Sequence, residues 1–168
     1  MTIPIPRFDD AVVVRAADAE VLGWSSVTIN LLADADATGG ALSVMRTTIA
    51  PGTEGAKPHS HSKSAEMFYV LDGQSEILTG RRVLSAKAGD LVVVPPDQVH
   101  AFGTPRERGA EILIVQAPGL ERFEYFRLVE RLIKGEATIK GLLATQELYD
   151  NHFVDSPEWE ARHRGTGN

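Results

Sequence analysis

Between Ala41 and Ala117 the chain is a succession of short β-type runs separated by turn residues, and this punctuation limits the possible folds more than any other feature. Pro51-Gly52 stops the run Ala41-Ala50. Asp72-Gly73-Gln74 separates Met67-Leu71 from Ser75-Thr79, and an Asp-Gly step between two apolar runs predicts a tight hairpin. Gly80-Arg81 turns the chain into Arg82-Ser85, Gly89-Asp90 opens Leu91-Val94, and Pro95-Pro96 closes it. Val99-Phe102 and Ala110-Ala117 complete the set, and Phe8-Arg15 and Val21-Leu32 read as two further strands upstream. Many short strands at even spacing predict an all-β sandwich or barrel.

After Pro118-Gly119 the period changes. Leu120, Phe123, Phe126, Val129, Leu132 and Ile133 fall at three- and four-residue intervals, which predicts an amphipathic helix ending at Gly135. A second helix is expected from Thr138 to Tyr149. Ser156-Pro157 supplies an N-cap and a first-turn proline for a third, which carries Trp159. The aromatic stripe of the first helix, with Phe123, Tyr125 and Phe126, is expected against the outside of the barrel or at a dimer interface rather than over the barrel mouth, because such stripes usually bury against a sheet.

A chain of 168 residues holds one well-packed core. The expected organisation is a single domain over residues 1–168, with a barrel core at about 38–117, N-terminal strands at 8–32 and C-terminal helices at about 119–164. With no Cys, the chain has no disulfide framework and no thiolate ligand or nucleophile. A formal charge of -6 and scattered Lys and Arg residues argue against a nucleic-acid surface. No stretch approaches the ~20 apolar residues of a membrane span, and MTIPIPRFDD lacks the basic start and apolar run of a secretion signal. A cytoplasmic protein without a membrane partner is the expectation. The tail Arg164-Asn168 is expected to fray.

Four residues carry the chemistry: His59, His61, Glu66 and His100. Imidazole and carboxylate are the ligands that divalent Fe, Mn, Ni, Co, Cu or Zn accept, and a set of three His and one Glu leaves coordination room for water or substrate. Side chains alternate across a strand, so His59 and His61 share a face, as do Glu66, Phe68 and Val70. An isolated His-X-His in a polar loop is usually a surface feature. Glu66, His100 and the Gly/Pro frame around them favour one divalent transition metal per chain. Glu66 is also the candidate general base, since a carboxylate can leave the ion and accept a proton; a ligand-only role is the plainer alternative. By alternation Met45, Thr47, Phe68, Val70 and Phe102 point inward beside the ligands, an apolar lining that suits a hydrophobic or aromatic small molecule. His152 and His163 read as surface residues.

The stretch Gly52 to Gly73, with His59-Ser60-His61, four residues, Glu66, six residues and Gly73, resembles the first motif of the cupin superfamily. Gly89, five residues, Pro95 and then His100 resemble the second. The chain departs from the pattern at Asp97, where Gly is usual, and at Thr104, where Asn is frequent; Asp tolerates a positive φ better than most residues. The resemblance implies a six- to eight-stranded double-stranded β-helix, or jelly roll, with a metal bound at His59, His61, Glu66 and His100. A helical C-terminal extension on a single cupin domain is similar to quercetin 2,3-dioxygenase-like proteins. That likeness implies O2-dependent ring cleavage of a flavonol or related enol, with Glu66 as proton acceptor. A non-oxidative isomerase, lyase or cyclase and a binding protein without turnover are the alternatives. A homodimer is expected, since two-fold pairs are the commonest assembly.

Overall fold

The computed structural model describes residues 8–24 and 26–164, with the side chains of 163 and 164 excepted. The side chain of His163 and residues 165–168 of the tail therefore lie outside what is described. The strands are β1 (Glu20–Trp24), β2 (Val27–Ala33), β3 (Ser43–Ile49), β4 (Glu54–Ser60), β5 (Ala65–Thr79), β6 (Arg82–Lys87), β7 (Leu91–Val94), β8 (His100–Gly103), β9 (Ala110–Ala117) and β10 (His152–Phe153). The helices are α1 (Phe123–Ile133), α2 (Ile139–Leu143), α3 (Gln146–Tyr149) and α4 (Pro157–Arg164).

β5 is the spine. Its first half pairs with β9 and β7, its second half with β6 and β8, and every ladder among the described strands is antiparallel. β9 continues through β3 and β2 to β1, and β8 continues through β4 to β10, so one long strand belongs to both halves of a curled jelly-roll barrel. Strand alternation fills its interior. Ala110, Ile112, Ile114 and Gln116 are the buried members of β9, and Phe68, Val70 and Ile77 are among the buried apolar members of β5. Burying an Ile or Phe side chain of this kind stabilises by roughly 1.5–3 kcal/mol. Among the described residues, no helix is long and apolar enough to cross a membrane.

Several sequence expectations are corrected. Asp72-Gly73-Gln74 is not a hairpin: β5 runs straight through it, with a register shift against β9 between Val70 and Asp72. Gly73 has φ 78°, and a Cβ there would stand 2.0 Å from the carbonyl oxygen of Gly109. The glycine serves a bulge and a close backbone approach rather than a turn. Phe8-Arg15 forms no strand, and all of it is exposed, with no neighbouring strand to complete a ladder. Val21-Leu32 is two strands joined by a hairpin between Trp24 and Val27. The helix expected over Thr138–Tyr149 breaks into α2 and α3, where the Thr145 hydroxyl donates back to the Leu142 carbonyl at 2.7 Å. The third helix forms as expected, with Ser156 Oγ accepting from the Trp159 amide.

Candidate metal centre

The barrel closes on the four ligand candidates. β4 and β8 pair so that His59 lies opposite His100; His61 follows β4 directly, and Glu66 stands near the start of β5, between Val94 and Gln116. The turn that delivers His100 uses Asp97 at φ 66°, the position where the resemblance predicts glycine-like backbone. All four side chains are buried, and their ligand atoms lie within 4.8 Å of one another.

The three rings are held by one device. His59 Nδ1 lies 2.7 Å from the Lys57 carbonyl, His61 Nδ1 2.6 Å from the Asp150 carbonyl, and His100 Nδ1 2.9 Å from the Gln98 carbonyl. A carbonyl only accepts, so each Nδ1 carries the hydrogen and each Nε2 keeps its lone pair for the centre. Gln116 Nε2 donates to Glu66 Oε1 at 3.2 Å and lies 3.2 Å from His61 Nε2. Glu66 Oε2 sits 2.6 Å from His100 Nε2 and 3.5 Å from His61 Nε2. The closer contact has ion-pair distance without hydrogen-bond alignment, so both of its atoms are buried without a hydrogen-bond partner. Two unpartnered atoms facing one another, within a cluster of three imidazoles and a carboxylate, fit a divalent transition metal.

The electrostatics agree with that fit. Burial pushes His59 well below the ordinary imidazole value, helped by His100 and His61, and so keeps it neutral. Burial would raise Glu66, yet its contacts with His100 and His61 outweigh this and hold the carboxyl well below the usual range. Burial likewise opposes the charged form of His100, and Glu66 overrides it. The pocket thus stores an anion among groups that favour a positive charge between them.

A cavity of about 280 Å³ opens onto His59 and Glu66. Met45, Thr47 and Phe102 lie on its wall, whereas Phe68 and Val70 have no exposed surface and pack in the core cluster behind it. Tyr125, Phe126, Val129 and Leu132 also line it. The stripe of α1 therefore closes the cavity from above the ligands, against the expectation that it would pack outside the barrel. The reason is a long-range anchor: Asp34, just after β2, accepts from the Arg122 and Phe123 amides at 2.9 and 3.0 Å and pins the start of α1 at the barrel rim. His152 is half-buried and lies 3.2 Å from Asp150 Oδ1.

Two residues of the site escaped the sequence reading. Gln116 was legible as the polar member of the inward face of β9. Arg122 is buried, with Nη1 3.2 and 3.4 Å from the two ring nitrogens of His61 and Nη2 donating to Asn151 Oδ1 at 2.9 Å. Its guanidinium lies 4.9 Å from the ring centroid of Tyr125 and 5.5 Å from that of Phe126. The signal for it is an Arg followed by aromatics three and four positions on, which share one helical face.

Solved structures of similar shape are cupins and enzymes of varied chemistry. An RmlC-like cupin from Shewanella frigidimarina superposes with a TM-score of 0.58 at 19% identity, over 68% of this chain and 96% of its own. A Streptomyces PAC13 variant with uridine gives 0.56 at 16% identity, over 90% and 98%. The polyketide cyclase RemF from Streptomyces resistomycificus gives 0.52 at 18% identity, over 71% and 95%. No curated protein matches the chain in sequence. The family model described as the cupin domain matches residues 45–116, a stretch that holds all four ligand candidates, and the fold there is that of a cupin β-barrel.

Proposed function

We propose that the chain is a mononuclear metal-dependent enzyme acting on a hydrophobic or aromatic small molecule through an acidic enol or phenol oxygen, as a dioxygenase of the quercetinase-like kind. The observation that carries this reading is the convergence of three Nδ1-anchored imidazoles and an ionised, buried Glu66 at the floor of an apolar cavity. A divalent ion held by His59, His61, Glu66 and His100 supplies Lewis acidity toward a substrate oxygen and, for a redox-active metal, a means of using O2. The chain's own residues do the rest. Glu66 accepts the enol or phenol proton, and Gln116 fixes the orientation of its carboxylate. Phe102, Tyr125 and Phe126 surround the ligand and exclude water.

The test loads metal-free protein with Fe(II), Mn, Co, Ni, Cu or Zn and offers flavonols and other enols in an oxygen electrode. Oxygen consumed only with redox-active ions supports the dioxygenase; equal turnover with Zn under nitrogen overturns it. Arg122 favours a second reading, a non-oxidative isomerase, lyase or cyclase, because a fixed cation beside the site stabilises an enolate without oxygen. The same experiment separates the two. The homodimer remains part of the proposal. Tyr69 and Leu91 pair across β5 and β7 and, with Leu71 and Val93, leave an apolar outer face for a second copy. A monomer mass in light scattering at micromolar protein overturns that pairing.

A further inference from the structure

Besides Glu66 Oε2, three buried polar atoms of cavity-lining residues have no hydrogen-bond partner among the described residues: Thr47 Oγ1, Arg122 Nε and Asn151 Nδ2. Two of them are donors on adjacent side chains. Arg122 Nη2 can only donate to Asn151, so the Asn151 amide is oriented with Oδ1 toward the guanidinium, and its Nδ2 hydrogens are left unused. The guanidinium itself is fixed, with Tyr125 and Phe126 beside it and His61 against Nη1. None of the ion pairs among the described residues involves Arg122, although it is only 4% exposed. A buried cation without a carboxylate is costly unless something negative completes it. Glu66, Asp150 and Asp34 favour its charge through space, against burial, yet none of them makes an ion pair with it; the nearest contacts of Glu66 are His100 and His61.

We propose that Arg122 and Asn151 form an anion-binding subsite of this cavity, and that the natural ligand is a hydrophobic organic acid whose carboxylate they hold while its apolar body lies along Phe102 and Phe126. This rests on the reading of the cavity as a substrate site and narrows its substrate class. The donor set suits a carboxylate: a guanidinium edge and a neighbouring amide present N–H groups to two oxygens, as charge-assisted hydrogen bonds. The site's charge points the same way. A divalent ion with Glu66 would leave about +1, to which an acidic oxygen on the ligand is drawn, and the Arg122 guanidinium offers a second cationic group for a carboxylate on the same ligand.

Isothermal titration with naphthylacetate and its uncharged amide tests the subsite, using the full chain as isolated and again after chelation, so that no ion competes for the carboxylate. The acid is expected to bind at least about ten-fold more tightly than the amide in both forms. Arg122→Gln is expected to bring that ratio to about one in the metal-stripped protein, and Arg122→Lys to keep part of it, since it retains charge but not the planar fork. Equal affinity of the wild type for acid and amide overturns the proposal, as does a ratio that survives Arg122→Gln after stripping. Zinc taken up at one ion per chain by Arg122→Gln confirms that the variant is folded around its site. Failure of the wild type to bind either probe overturns the subsite while leaving the metal centre standing if zinc is still taken up. If zinc is also refused, the metal-enzyme reading falls with it.

Discussion

Arg122 and Arg162 are both buried, both pack on aromatic rings, and both leave guanidinium nitrogens without hydrogen-bond partners, yet they occupy regions of opposite character. Arg162 lies 3.8 Å over the ring of Trp159, with Nε 3.1 Å from Glu76 Oε2, an ion pair in distance though not in hydrogen-bond alignment. Trp159 in turn donates Nε1 to Glu54 Oε1 at 2.9 Å. The space around Arg162 is full: a Cβ on Gly103 would come within 2.7 Å of Nη1 and Nη2. This is a clamp that fastens α4 to the barrel. Arg122 makes none of the ion pairs found among the described residues, feels Glu66, Asp150 and Asp34 only through space, and lines a cavity. Unsatisfied nitrogens are common to both regions, so they do not distinguish a binding site from a structural one. The absence of a contact ion pair at Arg122 and the adjoining open volume do.

The sharpest way to separate the regions is to empty one of them. His61→Ala or His100→Ala should reduce bound metal from one ion per chain to near zero by elemental analysis, with the clamp intact in circular dichroism; stoichiometric metal in either variant would break the assignment of the centre. Glu66→Gln should lower turnover by at least about 10²-fold while metal content falls far less. An unchanged rate would remove Glu66 as the base. On the clamp side, Trp159→Ala should cost about 3–5 kcal/mol in denaturant unfolding and leave metal per folded chain unchanged. Metal loss there would mean that the two regions are coupled. The smallest effect belongs to a third arginine, Arg127, which pairs at the surface with Glu20 at 2.6 Å and with Glu124. Its hydrogen bonds hold the Glu20 carboxyl below the usual value. A depressed carboxyl stabilises the fold above its unfolded pKa, and that stabilisation is lost as pH falls through the folded pKa. Glu20→Gln should therefore cost below about 1 kcal/mol near neutral pH and nothing in acid, by thermal melting at the two pH values.

The clustering of the four ligand candidates was legible because strand alternation is local and rigid: once His59 and His61 share a face, β4 and β8 need only pair to bring His100 opposite. Asp97 was legible for the same reason, as a backbone position whose positive φ a short polar residue tolerates. The Asp72-Gly73 hairpin misled because the same dipeptide serves a turn when its flanks pair with each other and a bulge when other strands claim them, and that choice is made by β7, β8 and β9. Phe68 and Val70 share the parity of Glu66 but lie deeper, and parity says nothing of depth. Arg122 was hidden because its burial depends on Asp34, 88 residues earlier, seizing the start of α1. Contacts of that range leave no periodic trace.

Asp150 adopts a left-handed backbone, φ 48° and ψ 47°, and holds the site from the far end of the sequence. Its carbonyl accepts from His61 Nδ1, and its carboxylate accepts from the Ser62 and Lys63 amides and the Ser62 hydroxyl. A ribosome releases His59, His61, Glu66 and His100 well before it makes Asp150. The growing chain thus carries every ligand before it carries the brace that sets the tautomer of one of them. An ion that binds here would therefore meet the fully braced site only once the polypeptide is nearly finished.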